Sequence, residues 1–427
     1  MSLKCFLTMI PPAPVTNKIK VEARGAVQNT STDNKKVRLE LLCNGQVIKA
    51  MSEVQISNGE SAEINHTFST VNLLGENKFE LRVNEAGNMR SKLQKFTVVN
   101  AETRSAKLIS GTWNGLYHWS EIEGKYWNQK LKMFTSEDWR AQIRGMHKLG
   151  MDIVVIQELF RNDAYYGDHK NSNGYLGFAY YPSKFGAGRV DIVCKDPLEV
   201  ILDEASKLKM KVFPGVGLYA WFDFSKDSLN WHMEIAKELH EKYGHHHSFY
   251  GWYISEEIFG DLGNDPKRED EIVYFFQQIN AFCKKITPTK PIMLAPNCHF
   301  VPQAVSGWKR LLSHLDILCP FGFHRMPEGD ISGLEVAKLL QKLCNEAGTH
   351  LWMDMEAFDF EPDQALVPRA IEAIKKDLDL FTNFEKILCY QYQGLMTDPA
   401  EKITLGGAKA VQLFNDYKKY FSTHTGK

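Results

Sequence analysis

Long hydrophobic runs are missing from this 427-residue sequence. No apolar stretch approaches the ~18 residues that a membrane-spanning helix requires, so we expect no transmembrane segment. An excess of either charge is also missing, because 51 Lys and Arg residues are balanced by 52 Asp and Glu residues, for a formal net charge of −1. A nucleic-acid partner is therefore not expected, since binding to a polyanion requires a basic surface.

Motifs that would hold a metal or a cofactor are scarce. The 8 cysteines are scattered without a CxxC pair, which is typical of buried, reduced thiols. The sequence has no HExxH, P-loop or GxSxG motif. Gly215–Ala220 fits GxGxxA, but Trp221-Phe222-Asp223 follows it where a phosphate-binding helix should begin. The consecutive His245–His247 side chains point in different directions, so we expect no metal and no cofactor.

The N-terminal segment, residues 1–16, is interpreted as a leader or tail. Its short apolar patch, Cys5–Pro12, makes a poor signal peptide. If Met1-Ser2-Leu3 replaces a removed signal, we expect a secreted or periplasmic protein, and otherwise a cytoplasmic one.

Residues 17–100 have the pattern of a small all-β domain. Val37–Cys43 largely alternates apolar and charged residues, and Asn44-Gly45 predicts a tight hairpin turn before the next strand. Further strand-like runs follow at short spacing without an intervening helical pattern. This arrangement predicts an immunoglobulin-like β-sandwich.

From residue 107 to residue 427 the pattern changes to strands alternating with amphipathic helices. Eight strands are predicted, at 107–118, 152–158, 211–219, 249–256, 291–297, 316–322, 350–357 and 386–393. Eight alternations that end with a helix predict an α/β fold, a (β/α)8 TIM barrel. A doubly wound open sheet is the competing architecture, and the strand count favours the barrel.

The segment Leu159–Val193 is much longer than a usual connection between a strand and a helix. It is rich in aromatic residues, namely Phe160, Tyr165, Tyr166, Tyr175, Phe178, Tyr180, Tyr181 and Phe185. Two interpretations stay open. The aromatic rings form either a lid that stacks on sugar rings or a small subdomain that packs on itself.

Carboxylates stand at the ends of two predicted strands. Glu256 and Glu257 end the fourth strand, while Asp354 and Glu356 end the seventh. Because active sites of (β/α)8 barrels lie at the carboxyl ends of the strands, we expect these groups in one cleft. Glycoside hydrolysis uses two such carboxyl groups, so Glu257 is predicted as the acid/base and Glu356 as the nucleophile. Asp354 is the alternative nucleophile.

Trp252-Tyr253-Ile254-Ser255-Glu256-Glu257 resembles the strand-four motif of the large barrel glycosidase clan, in which a Trp precedes an Asn-Glu pair. Trp352–Glu356 similarly resembles the nucleophile segment of the clan. The chain is more similar still to a family of uncharacterised bacterial glycosidase-like barrels. The resemblance implies that Glu257 is the acid/base, that Glu356 is the nucleophile, and that Glu256 replaces an Asn that holds the sugar 2-hydroxyl.

Polar and aromatic residues near the other strand ends are predicted to bind the sugar. These candidates, together with Glu256 and Asp354, are Trp113, Asn114, His118, Glu158, Tyr219, Trp221, Asn297, His299, His324 and Tyr392.

The resulting hypothesis is a retaining glycoside hydrolase that acts on an oligo- or polysaccharide by a two-glutamate mechanism. One alternative is a barrel that binds glycans without cleaving them. Another is metal-assisted hydrolysis by Glu158, His299, His324 and Glu356. A purely structural interpretation of Glu256 and Glu257 is a solvent-exposed pair that stabilises a helix N-terminus.

Overall fold

The computed structural model describes residues 2–161, 177–186, 188–217 and 222–426. The chain divides into two compact units. The first unit comprises Met1–Ala106 together with Cys283–Pro291, and the second comprises Lys107–Phe282 and Ile292–Lys427.

The first unit is built from β-strands. They are β1 (Leu3–Ile10), β2 (Val15–Thr16), β3 (Lys20–Asn29), β4 (Lys35–Cys43), β5 (Gln46–Ile56), β6 (Ser61–Ser69), β7 (Gly75–Glu85) and β8 (Asn88–Val99). Strands β1-β3-β6 form an antiparallel sheet, and β2-β8-β7-β4-β5 form a second sheet in which β2 runs parallel to β8.

Two details of this unit bear on the sequence predictions. Strand β1 lies within the segment predicted to be a leader or tail, and it pairs residue by residue with β3. The predicted hairpin turn is confirmed, because Asn44 and Gly45 both adopt positive φ angles, 50° and 84°, between β4 and β5.

A single hydrophobic core lies between the inner faces of the two sheets. In β4 the buried residues Val37, Leu39 and Leu41 alternate with more exposed charged residues. Phe79 and Leu81 of β7 join the same core. Alternation places one face of each strand in the core, so burial of that face holds the two sheets together. The immunoglobulin-like assignment stays a prediction.

The second unit mixes strands and helices. Its strands are β9 (Ile109–Asn114), β10 (Ile153–Ile156), β11 (Phe160–Arg161), β12 (Phe178–Ala179), β13 (Gly188–Arg189), β14 (Lys211–Phe213), β15 (Trp252–Ile254), β16 (Ile292–Leu294), β17 (Ile317–Leu318), β18 (His350–Leu351), β19 (Met353–Glu356), β20 (Phe358–Phe360), β21 (Leu366–Pro368) and β22 (Ile387–Tyr390).

The helices follow the strands along the chain. They are α1 (Asn128–Leu131), α2 (Ser136–Lys148), α3 (Pro197–Lys207), α4 (Lys226–Tyr243), α5 (Pro266–Ile286), the 3₁₀ turn Val301–Ala304, α6 (Val305–Leu312), α7 (Gly333–Ala347), α8 (Ile371–Leu380) and α9 (Gly407–Thr425). Among the helices that can be described, none combines the length and apolar character required to cross a lipid bilayer.

The main strands of this unit pair in parallel, in two sheets ordered β14-β10-β9-β22-β19 and β15-β16-β17-β18. Parallel bridges also join Val212 to Phe249 and Gly215 to Tyr253, next to β14 and β15. Only Trp352 separates β18 from β19. Each of the eight predicted strands contains one or two of these strands, so the prediction of alternating strands and helices is confirmed.

Local sequence explains these elements. All residues of β10, β15 and β16 are buried apolar or aromatic side chains, as is typical of parallel strands covered on both faces. Helices α2 and α7 begin with capping boxes made by Thr135 with Asp138 and by Ser332 with Glu335. Strands and helices are therefore delimited by local signals, and the parallel pairing brings the carboxyl ends of neighbouring strands to the same edge.

The long segment Leu159–Val193 is described only in part. Tyr165, Tyr166 and Tyr175 lie outside the described residues. Phe160, Tyr180 and Tyr181 are buried, and the Tyr181 hydroxyl donates to Glu238 at 2.6 Å. These three rings pack inward, as the subdomain interpretation predicts.

Candidate active site

A pocket of about 190 Å³ lies within the second unit, at the carboxyl ends of its parallel strands. Aromatic and acidic side chains dominate its wall. The lining residues are Trp113, Trp119, Glu123, Gln157, Tyr253, Ser255, Glu257, Ala295, Phe321, Arg325, Asp354, Glu356, Phe358, Phe360, Leu366 and Tyr390.

Glu356 is the last residue of β19, and its side chain is 2% exposed. Arg325 Nε lies 2.5 Å from Glu356 Oε1, and Arg325 Nη2 lies 2.5 Å from the same oxygen. His324 Nδ1 lies 3.0 Å from Oε2. Burial by itself would raise the pKa of Glu356, but the contacts with His324 and Arg325 outweigh it and lower the pKa from its ordinary value. Glu356 is therefore held as a carboxylate.

Glu257 follows β15 by three residues and is half-buried in the pocket wall. Its pKa is raised to about 7, because burial and the negative charge of Glu356 together outweigh the opposing effect of Arg325. Near neutral pH, Glu356 is thus held in the ionised form, while a substantial fraction of Glu257 keeps its proton. Such a split assigns base and acid roles to two carboxyl groups in one site.

Asp354 precedes Glu356 by two residues on β19, so both side chains point to the same face of the strand. Burial, followed by the charge of Glu356, raises the pKa of Asp354 well above its ordinary value. Both causes favour the neutral form of Asp354, whereas a nucleophile must be ionised. The alternative nucleophile is disfavoured on this basis.

Glu123 is a pocket carboxylate that sequence reasoning missed. It lies in the connection between β9 and α1, outside any predicted strand. Burial raises its pKa to about 7, the charge of Glu257 adds to the shift, and Arg325 opposes it. His118 is buried behind it, with Nε2 3.5 Å from Glu123 Oε2.

Aromatic side chains form another part of the pocket wall. Trp113 and Tyr253 meet edge to face, with ring centroids 5.9 Å apart. The antiparallel pair β20 and β21 follows β19 and contributes Phe358, Phe360 and Leu366 to the pocket. Arg325 lies 6.0 Å from the centre of the Phe360 ring. Aromatic faces beside acids and amides match the mixed apolar and polar surface of a sugar ring.

The structure brings several predicted site residues together. Trp113, Glu257, Asp354 and Glu356 line the pocket, while His324 contacts Glu356 from the side. Tyr219 and Trp221 lie outside the described residues.

Other predicted site residues lie away from the pocket wall. Glu256 is fully buried, where it accepts a hydrogen bond from the Phe222 N–H at 3.2 Å and lies 3.8 Å from His232 Nε2. Glu256 therefore does not line the pocket, and it is not solvent-exposed as the purely structural interpretation requires. Tyr392 donates its hydroxyl to Glu401 at 2.7 Å, behind the strand ends. Asn114 and Glu158 are buried beside lining residues instead of lining the pocket themselves.

Asn297 and His299 also lie outside the lining set. The Asn297 side-chain oxygen accepts a hydrogen bond from the His299 N–H at 2.7 Å, which stabilises the turn after β16. The His299 ring faces the Gly322 carbonyl at 3.4 Å, and burial lowers the pKa of His299. Both residues thus shape the backbone near the sixth strand.

Alternation along the strands explains which neighbours reach the pocket. Tyr253, Ser255 and Glu257 line it, whereas Glu256 points the other way. Gln157 likewise lines the pocket and its charged neighbour Glu158 does not. The period-two pattern was the signal that could have separated these neighbours in the sequence. No comparable signal marks Glu123, because it lies in a connection.

One group of side chains in the described part of the second unit has the spacing of a metal site. The potential ligand atoms of Glu199, His245 and His246 lie within 4.8 Å of one another. His246 Nε2 is 2.9 Å from Glu199 Oε2, so an ordinary hydrogen bond accounts for part of this proximity. The four residues of the metal-assisted alternative, Glu158, His299, His324 and Glu356, do not form such a group.

The fold and the site together define a class, namely mixed α/β proteins whose pocket collects carboxyl groups at the carboxyl ends of parallel strands. The chain belongs to the family described as Domain of unknown function (DUF4434), whose model matches residues 109–403. The matched range contains every residue that lines the pocket. A search of curated proteins finds no significant match.

Comparison with solved structures finds similar proteins from several bacteria. A candidate α-L-fucosidase from Bacteroides thetaiotaomicron aligns with a TM-score of 0.55 and 20% identity, covering 79% of this chain and 99% of that chain. β-Glucuronidase 2 of Bacteroides uniformis aligns with a TM-score of 0.44 and 12% identity, covering 98% of this chain and 50% of that chain. A β-galacturonidase of Eisenbergiella tayi aligns with a TM-score of 0.44 and 9% identity, covering 99% and 72%. The first likeness shows a shared fold.

Proposed function

We propose that the protein is a retaining glycoside hydrolase that cleaves an oligo- or polysaccharide, with Glu257 as the acid/base and Glu356 as the nucleophile. One observation carries the proposal. Glu257 closely follows β15 and Glu356 ends β19, both line one pocket, and their pKa values are shifted in opposite directions. Both glycoside hydrolase mechanisms require one protonated and one ionised carboxyl group beside the bond that breaks.

The proposal includes a closed (β/α)8 barrel, in which the two parallel sheets are parts of one ring. The parallel bridges Val212–Phe249 and Gly215–Tyr253 support closure on one side. On the other side, β18 and β19 are nearly continuous, and each pairs with a different sheet. Closure would place all the strand ends around a single mouth.

In the first step, the Glu257 carboxylic acid donates its proton to the glycosidic oxygen while that oxygen leaves the anomeric carbon. A Glu356 carboxylate oxygen forms a bond to the same carbon, so the sugar becomes an ester of Glu356. His324 and Arg325 keep Glu356 ionised before the attack. The aglycone departs with the proton from Glu257.

In the second step, the Glu257 carboxylate removes a proton from a water molecule. The water oxygen bonds to the anomeric carbon, the ester bond to Glu356 breaks, and the configuration is restored. Glu257 regains its proton for the next cycle. Its pKa near 7 suits both directions of transfer, since general acid–base catalysis is most efficient when the pKa lies near the working pH.

The experiment compares Glu257→Gln and Glu356→Gln with Glu328→Gln, an exposed glutamate on the same connection as Arg325 that does not line the pocket. The substrates are 4-nitrophenyl glycosides and oligosaccharides, and the first-formed anomer is identified by proton NMR. We expect both pocket variants to lose turnover, the control to retain it, and the product to keep the substrate configuration. Turnover that survives both pocket substitutions would refute the assignment of Glu257 and Glu356 as the catalytic pair. Sugar binding without turnover in the wild type would indicate a glycan-binding protein instead.

A further inference from the structure

Glu123 is a third glutamate in the pocket, and neither step of the proposed mechanism uses it. Its side chain is 21% exposed, and it shares the wall with Glu257 and Arg325. It comes from the connection after β9, whereas the proposed catalytic pair follows β15 and ends β19. The role of this carboxyl group therefore needs its own explanation.

The main chain of Glu123 is held from both sides. Its N–H donates to Ser120 Oγ at 3.2 Å, and its carbonyl accepts a hydrogen bond from the Leu366 N–H at 3.1 Å. Leu366 begins β21, so this bond connects Glu123 to the aromatic wall of the pocket. A carboxylate on an exposed connection ordinarily lacks such restraint, and preorganisation of this kind is typical of binding groups.

The side chain is held as well. His118 Nε2 lies 3.5 Å from Glu123 Oε2. His118 is itself fixed, because its main-chain N–H donates to Asn128 Oδ1 at 2.9 Å and the main-chain N–H of Ser120 lies 3.1 Å from the ring Nδ1. His118 was predicted to touch the sugar, but its position behind Glu123 makes it a positioning residue.

Two further contacts attach the connection to the β20–β21 pair. Lys125 Nζ is 2.7 Å from Asp363 Oδ2, and the Tyr126 hydroxyl donates to Glu361 Oε2 at 2.5 Å. Together with the Leu366 bond, they join the Glu123 connection and the aromatic wall into one side of the pocket. A sugar stacked on that wall would present its hydroxyls near Glu123.

The charges of the wall decide which sugars fit. Of the described lining residues, four are acids (Glu123, Glu257, Asp354 and Glu356), and Arg325 supplies the positive charge. Two nitrogens of Arg325 already contact Glu356 Oε1. A substrate carboxylate would meet the ionised Glu356 and the carboxyl group of Glu123 while the guanidinium is engaged by Glu356, and like charges in a half-buried pocket oppose binding.

We propose that Glu123 is a substrate-binding carboxylate that accepts hydrogen bonds from sugar hydroxyls, and that the pocket selects neutral sugars over uronic acids. The inference deepens the proposed function and depends on it for the identity of the substrate class. A carboxylate oxygen accepts hydrogen bonds from two neighbouring hydroxyls readily, and it excludes an anionic substituent at the same place.

The experiment uses 4-nitrophenyl glycosides of glucose, galactose, mannose, fucose and xylose, together with those of glucuronic and galacturonic acid. Wild type, Glu123→Gln, Glu123→Asp and the control Glu121→Gln are compared, and their unfolding temperatures verify folding. Glu121 is an exposed neighbour outside the pocket lining. We expect Glu123→Gln to raise KM for the best neutral glycoside about tenfold or more, since hydrogen bonds to charged groups contribute about 1.5–3 kcal/mol. Glu123→Asp should lie between it and the wild type.

Binding is measured separately in the Glu257→Gln background, which keeps the contact between Arg325 and Glu356. Tryptophan fluorescence is followed during titration with the corresponding neutral and uronic acid monosaccharides. Trp113 and Trp119 line the pocket and report on its occupancy. We expect neutral sugars to quench or shift the signal, and Glu123→Gln to weaken that response by a similar factor. Three outcomes would each overturn the inference. They are an equal KM in Glu123→Gln and Glu121→Gln, wild-type turnover of uronides that equals or exceeds that of neutral glycosides, and the absence of a fluorescence response to neutral sugars. Binding that depends on Glu123 without turnover in the wild type refutes only the hydrolase.

Discussion

Arg325 contacts Glu356 through two nitrogens, with Nε and Nη2 each 2.5 Å from Oε1. His324 Nδ1 lies 3.0 Å from the other carboxylate oxygen. A buried carboxyl group would otherwise favour its neutral form. These contacts make Glu356 the ionised member of a pair in which Glu257 favours the proton, and the proposed mechanism depends on that asymmetry.

The first prediction concerns Arg325→Gln. Because the guanidinium lowers the pKa of both Glu356 and Glu257, its removal should raise both values. Glu356 acts when ionised and Glu257 when protonated, so both limbs of the profile of kcat/KM against pH should move to higher pH. Activity at pH 5 should fall more than activity at pH 7.

The matched control is Arg310→Gln, because Arg310 is a half-exposed arginine paired with Glu269 and Asp270 away from the pocket. Its pH profile should coincide with that of the wild type. An Arg325→Gln profile with an unmoved acidic limb would contradict the assignment of Glu356 as the carboxylate that Arg325 stabilises.

The second prediction concerns the basic limb. The pKa of Glu257 is raised to about 7, so the proton donor should be lost as the pH rises through that value. Glu257→Gln should remove this limb and lower kcat by about 10²–10⁴-fold for a glycoside with a poor leaving group. A 2,4-dinitrophenyl glycoside should lose much less, since its leaving group needs no proton.

Glu123 also has a pKa raised to about 7, and it senses the charge of Glu257. Because the two charges interact, the midpoint of the Glu257 limb should move downward in Glu123→Gln, where a neighbouring negative charge is removed. For Glu257→Gln itself, equal losses of kcat with good and poor leaving groups would contradict the role of Glu257 as the acid.

The third prediction concerns stability. Burial raises the pKa of Glu256 well above its ordinary value. The folded protein therefore binds this proton more tightly than the unfolded chain, and stability should decline as the pH rises above about 4.3, the ordinary glutamate pKa. Glu256→Gln removes the ionisation, so its unfolding temperature at pH 8 should equal or exceed that of the wild type.

The comparison with the wild type should be repeated at pH 4.5, close to the ordinary glutamate pKa of about 4.3. The advantage of Glu256→Gln should shrink there, because the unfolded chain has lost only about half of this proton. Thermal unfolding followed by circular dichroism provides the measurement. The prediction is contradicted if Glu256→Gln unfolds at a lower temperature than the wild type at pH 8, and if this deficit is larger at pH 8 than at pH 4.5.

The fourth prediction concerns Tyr392→Phe. The Tyr392 hydroxyl donates to Glu401 at 2.7 Å and accepts from the Asp398 N–H at 3.2 Å. Its removal takes away two hydrogen bonds between buried groups, one of them to a carboxyl group, which should cost about 1–3 kcal/mol of unfolding free energy. Because Tyr392 lies outside the pocket lining, KM should stay at the wild-type value.

Urea denaturation and steady-state kinetics test the two parts of this prediction. Tyr274→Phe is the control for stability, since Tyr274 is 55% exposed and should tolerate the loss of its hydroxyl. A large rise in KM for Tyr392→Phe would return this residue to the substrate-binding set predicted from the sequence.

The elements of the second unit could be predicted because their signals are local. The fully apolar run of β10 and the capping boxes of α2 and α7 are readable from short stretches of sequence. The carboxyl groups at the ends of the fourth and seventh predicted strands were readable for the same reason. Selection among neighbouring residues was less successful, since a shift by one residue along a strand turns a side chain to the opposite face.

Glu256, Glu158 and Tyr392 illustrate that limit. Each is a chemically attractive residue at a strand end, and each is buried away from the pocket wall. Their neighbours Glu257, Gln157 and Tyr390 line it instead. Charge favoured Glu158 over Gln157, whereas the backbone alternation decides which of two adjacent residues points inward. Alternation does not separate Tyr390 from Tyr392, which are two residues apart, and Tyr392 lies beyond the end of β22.

The sequence by itself determined that parallel strands alternate with helices and that Glu257 and Glu356 follow two of those strands, because burial patterns and caps act over a few residues. Only the tertiary structure decided that Arg325 engages Glu356 and that Glu123 lies beside Glu257. These contacts join residues from different strands and connections, so they depend on sheet register and topology and not on any local sequence pattern.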